Sequence, residues 1–88
     1  MDNRIFLYDD VINAKTRFVS FAGENIRFDL GIITTDRFYG KQMVLDLQSN
    51  RFAIIGEDDL AEEGYLEYAF QLSPEDAADL RSFLEQIV

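Results

Sequence analysis

The chain has 88 residues, 17 acids against 8 bases, a formal net charge of −9 and neither histidine nor cysteine. That composition excludes disulfides, thiol nucleophiles, imidazole metal ligation and any Ser-His-Asp triad. The length sets the expectation of one α+β domain over residues 1–88 with a modest core.

Residues 4–8 (RIFLY) are an apolar run without alternation, as expected of a strand buried on both faces. Asp9 to Asn13 reads as a loop. Thr16 to Phe21 reads as a strand with Arg17, Val19 and Phe21 on one face, and Ala22 to Asn25 as a turn. Ile26 to Ile33 is the return strand, with Ile26, Phe28, Leu30 and Ile32 together. The expected pairs are Phe21 with Ile26 and Val19 with Phe28. Thr34 to Lys41 is a connection broken at Gly40, and its two aromatics, Phe38 and Tyr39, cap the core edge or meet a partner.

The stretch from Gln42 to Glu57 is the clearest hairpin. Turning at Ser49-Asn50 sets Leu47 against Phe52, Leu45 against Ile54 and Met43 against Gly56 on a continuous apolar face. Gln48 with Arg51, Asp46 with Ala53 and Val44 with Ile55 make the mixed face. A one-residue slip would scramble both faces.

Glu57 to Gly64 is acidic. Asp59 and Glu62 have capping-box spacing and Gly64 suits a left-handed helix end, so a helical turn or two is expected with Leu60 inward. Tyr65 to Leu72 alternates as a last strand, with Leu66, Tyr68, Phe70 and Leu72 on one face. Ser73, Pro74, Glu75 and Asp76 then form a helix start of N-cap, N1 proline and acids at the positive dipole end. Ala77, Leu80, Leu84 and Ile87 are the apolar stripe of that helix.

The expected fold is therefore α+β: a mostly antiparallel sheet of about five strands with a C-terminal amphipathic helix packed on one face. The second face keeps Phe18, Ile33, Val44 and Ile55, too apolar to leave in water. It is expected to be partly covered, either by the N-terminal strand and loops or by a second copy of the chain, so a homodimer is one hypothesis.

Little in the sequence carries chemistry. The five glycines are isolated, so no phosphate-binding loop exists. Residues 57–63 could offer oxygen ligands to a divalent cation but lack EF-hand spacing, and helix capping accounts for them. Arg-Phe recurs at 17–18, 27–28, 37–38 and 51–52, but alternation puts each arginine and its phenylalanine on opposite faces. Residues 52–88 carry ten acids against one base, which repels phosphate backbones and argues against nucleic acid. No apolar run approaches the ~20 residues of a membrane helix. The N-terminus lacks a signal-peptide layout, so a cytoplasmic protein without membrane association is expected.

From Tyr8-Asp9-Asp10 through Arg17 to Phe21 and Arg27-Phe28-Asp29, then at Phe38-Tyr39-Gly40-Lys41 and from Leu45 to Tyr65, the chain resembles a known family. It is a family of small cytosolic bacterial proteins catalogued as a domain of unknown function. The resemblance covers nearly the whole chain. It implies an α+β protein with no established activity and transfers no catalytic or binding residue.

The functional expectation is a non-enzymatic protein-interaction or regulatory module without cofactor. Phe38, Tyr39, Phe18 and Ile55 are the candidate contacts for a protein partner or self-association. The alternative is a small-ligand or divalent-metal-binding protein using the acidic segment 57–63.

Overall fold

The computed structural model describes residues 3–88. Four strands, β1 (Lys15–Ala22), β2 (Arg27–Thr34), β3 (Gln42–Asp46) and β4 (Arg51–Ile55), form an antiparallel meander in the order β1-β2-β3-β4. A 3-10 turn, Asp36–Phe38, lies between β2 and β3. Three helices follow β4: α1 (Glu57–Ala61), α2 (Tyr65–Phe70) and α3 (Pro74–Leu84).

The helices bury one sheet face. From β2 that face contributes Phe28, Leu30 and Ile32, and from β3 and β4 it contributes Val44 and Ile55. Leu60 of α1, Leu66 and Phe70 of α2, and Ala77, Leu80 and Leu84 of α3 close over them. Each fully buried large side chain is favoured by roughly 1.5–3 kcal/mol over its exposed state. The Phe21 ring stacks on Phe28 at 5.0 Å and meets Phe83 at 4.9 Å, which ties the first hairpin to the last helix. The same helix receives the β1–β2 turn, whose Glu24 N–H donates to Asp79 Oδ2 at 2.9 Å. Gln42 Nε2 donates to the Ile87 carbonyl at 2.9 Å just beyond it.

The start of α3 follows its sequence signal. Ser73 Oγ accepts from the Asp76 N–H at 3.2 Å, and Pro74 opens the helix. Gly64 is left-handed at φ 81°, as its place after the acidic segment predicts. Within α1, however, the N-cap is Gly56. Asp59 sits at the third helical position and accepts from the Gly56 N–H at 2.8 Å, so the cap begins three residues earlier than the Asp59–Glu62 spacing suggests.

The sheet has four strands rather than about five, because two expected strands are something else. Residues 4–8 are exposed and lie outside the sheet. Tyr65–Phe70 is helical: Leu66 and Phe70 are buried four apart, whereas Tyr68, which a strand would have placed beside them, is 81% exposed. Leu66 and Phe70 satisfy both a period of two and a helical i, i+4 spacing, and burial against α3 favours the helix.

Both hairpins keep their expected side-chain parity but shift by two residues. Phe21 faces Phe28 and Val19 faces Leu30 in the first. In the second, Leu45 faces Phe52, Met43 faces Ile54 and Val44 faces Ala53. The second shift has a local cause. Asp46 Oδ1 accepts from the Gln48 N–H at 3.1 Å, the Asn50 N–H donates to the Asp46 carbonyl at 3.0 Å, and Asn50 is left-handed at φ 61°. The turn therefore takes four residues, Leu47 to Asn50, instead of two.

A larger difference concerns which face of that hairpin meets the helices. Leu45 and Ile54 do point the same way, but toward the open side. Ile32 faces Val44 across β2 and β3, so the mixed face of the hairpin, with Val44 and Ile55, joins the core. Ile55 is therefore buried and is no surface contact, while Phe18 and Ile33 lie on the opposite side of the sheet.

Candidate functional site

The helix-free face of the sheet is built from two rows of facing residues. Phe18, Gly31, Leu45 and Phe52 form one row across all four strands, and Thr16, Ile33, Met43 and Ile54 form the next. Phe18 is 75% exposed and Phe52 59% exposed, and Ile54 and Leu47 are also open to solvent. Gly31 lets the row lie flat. A Cβ built there would sit 3.4 Å from Leu45 Cδ1 and 3.6 Å from Phe18 Cε1, so these two side chains close over the glycine. The result is a shallow apolar floor framed by strand backbone.

At one end of the floor the border is polar and internally neutral. Arg27 donates through Nε to Ser20 Oγ at 3.1 Å and to Asp29 Oδ1 at 3.2 Å, and its terminal nitrogen pairs with the same carboxylate oxygen at 3.1 Å. Gln48 Nε2 also donates to Asp29. Hydrogen bonds from Ser20 and Gln48, with Arg27 adding its charge, hold the Asp29 carboxyl below the ordinary range. Among the strand residues of this face, Arg27 and Asp29 are the charged pair. The helical side is the contrast, with Glu57, Asp58 and Asp59 in the first turn of α1 and Glu75 and Asp76 in that of α3.

The other sequence-predicted residues lie elsewhere. Tyr39 is 96% exposed and left-handed at φ 54°, next to the half-buried Phe38 on the β2–β3 connection. Tyr39 borders a groove of about 660 Å³ shared with Asn13 to Lys15, Thr34 to Asp36 and Lys41. Lys41 at its edge is committed: Nζ lies 3.0 Å from Asp59 Oδ2 and 3.3 Å from Asp58 Oδ2. Those bonds, Asp59 first, raise the Lys41 pKa. They engage Asp58 and Asp59 of the acidic segment, and among the described residues no three acidic side chains are grouped to hold a metal ion.

The four Arg-Phe pairs do not converge. Arg17 lies on the helical side with its guanidinium 5.8 Å from the Phe83 ring centre, Arg27 borders the open floor, Arg37 is on the connection and Arg51 faces Asp46. No shared stacking platform results.

Sequence reasoning found Phe18 for the open face. It missed Leu45, Phe52 and Ile54 there, because the second hairpin is apolar enough on both faces to accept either side. The polar residues Asp46, Arg51 and Gln42 on its mixed face favoured the wrong choice. They occupy sheet ends and edges, where their polar heads still reach solvent or a carbonyl, as Gln42 does.

Among the described residues, no helix is long and apolar enough to cross a membrane. A comparison with curated proteins yields no match. The model of the SAV0927-like family matches residues 7–86, which takes in every strand and helix described above, and the chain belongs to that family.

Proposed function

We propose that the protein is a non-enzymatic interaction module that binds a protein partner through the open sheet face, centred on Phe18, Leu45 and Phe52. One observation carries this reading: a contiguous apolar floor spans all four strands, its border charges are paired with each other, and the acids of the helical layer lie on the opposite side. An aromatic-centred patch of low charge with a polar rim is the composition of a protein-binding surface core. A scattered set of exposed apolar side chains would need no such reading. The acidic segment does not favour the metal or small-ligand alternative, since Lys41 and the helix cap already engage Asp58 and Asp59.

A photo-crosslinking residue in place of Phe18 tests the proposal in cells. Discrete protein adducts are expected at position 18. They should be absent when the same residue replaces Tyr68, which is exposed on the helical side. Equal labelling at the two positions, or none at position 18, removes the open face as the binding surface.

A further inference from the structure

Resting on the reading of the open face as a binding surface, we infer that its occupant is the N-terminal arm of a second copy of this chain. Two molecules exchange their arms, so that each arm lies across the sheet of the other.

Two unpartnered apolar surfaces on one chain lead here. The first is the floor around Phe18 and Phe52. The second is the arm itself: Ile5, Leu7 and Val11 are almost wholly exposed, with Leu7 at 93%, and Phe6 and Ile12 are open as well. The arm does not cover its own sheet, since Phe18 and Phe52 stay exposed with the arm in place. Its outer part, around Ile5 and Leu7, stands off the folded body. The Cα radius of gyration is 15.1 Å, with a longest extent of 52 Å. A compact chain of this length would have roughly 12 Å. Arg37 steadies the arm at mid-length, with its guanidinium 4.5 Å from the Tyr8 ring centre and 3.5 Å from Asp10 Oδ2. That clasp aims the arm while leaving the hydrocarbon of Ile5 and Leu7 beyond it. Residues 5–14, fully extended, reach roughly 33 Å, longer than a strand of this sheet.

Area separates arm exchange from simple face-to-face stacking. The exposed parts of the floor come to roughly 400 Å² per molecule, counting aromatic and aliphatic side chains at their usual burial. Two floors pressed together would bury roughly 800 Å² of that apolar surface and leave Ile5, Leu7 and Val11 in water. One face of each arm adds roughly 300 Å² per molecule. The exchanged pair then buries roughly 1,400 Å² of apolar surface, that of the arms included, which is ample for a stable interface. Charge points the same way. The acids of the helical layer face outward in such a pair, and the Arg27–Asp29 border presents no net charge to the incoming arm.

Sedimentation equilibrium and native mass spectrometry on the full chain test the exchange. The wild-type chain should sediment at twice its 10.2 kDa mass. Leu7→Asp in the arm and Phe18→Asp in the floor each place a charge in the apolar contact and should weaken the dimer by at least roughly 100-fold. Both sites are exposed, so far-UV circular dichroism should match the wild type. Mixed in equal amounts, the two variants should form a heterodimer more strongly than either forms a homodimer, because one intact arm then meets one intact floor. A dimer lost with Phe18→Asp but kept with Leu7→Asp overturns the exchange and leaves the open face as a binding surface. A dimer indifferent to Phe18→Asp overturns both. A monomeric wild type overturns the exchange, and the crosslinking at position 18 then decides separately whether the face has another partner.

Discussion

At the scale of single residues, Asp59 is the most connected polar side chain of the helical layer. Burial raises its pKa, but the Gly56 N–H and the Lys41 ammonium lower it further, so the carboxyl titrates below the ordinary aspartate value. The sign follows from linkage. A carboxyl whose folded pKa is depressed contributes stability above its unfolded pKa, and that contribution is lost as pH falls through the folded value. Lys41 is the converse: its raised pKa gives a contribution complete below the ordinary lysine value and lost as pH rises through the folded one. Asp59→Ala should therefore cost about 1–2 kcal/mol at neutral pH through the lost cap and ion pair. The difference from wild type should shrink below about pH 4. Urea titrations at pH 7 and pH 3 measure both, and a constant difference across that range contradicts the assignment. Of the candidate contacts, Phe18 was legible in the sequence because alternation in its strand opposes it to the core residues Val19 and Phe21. Ile55 was misread because the face of its own hairpin is decided by β2.

At the scale of elements, α3 is the part whose sequence and structure agree most closely. Its cap, its N1 proline and its buried positions Ala77, Leu80 and Leu84 all follow from local spacing. Leu84 is fully enclosed near the helix end, where Phe83, Ile87 and Val88 pack around the core. Leu84→Ala should lower unfolding stability by about 2–5 kcal/mol, and chemical denaturation measures it. A loss below about 1 kcal/mol would mean that α3 is not the lid of the core. By contrast, α2 was not legible. Its six residues are too short to be helical on their own, and tertiary burial of Leu66 and Phe70 selects the helix over the equally patterned strand.

At the scale of the whole molecule, charge is segregated. The net charge of −9 arises in residues 52–88, chiefly the helical layer, while the open sheet face is apolar and locally neutral. Crowding like charges over one layer destabilises the compact state, and salt screens that repulsion. Raising sodium chloride from about 10 to 200 mM should therefore increase the melting temperature, since the Debye length falls from ~30 Å to below 10 Å. A falling melting temperature would mean that ion pairs such as Lys41–Asp59 outweigh the repulsion. The same segregation leaves the sheet face as the side on which another molecule meets least charge.

By itself the sequence determined the alternation within each hairpin, the class of the fold and the start of the last helix. Those depend on residues within a few positions of one another. Only the tertiary structure decided that Val44 and Ile55 face the helices while Leu45 and Phe52 face outward, and that Tyr65–Phe70 is a helix. The physical reason is that the second hairpin is apolar on both faces. Its inward side is chosen by the pairing of Ile32 with Val44 and by the helices that close over that row, contacts no local pattern contains.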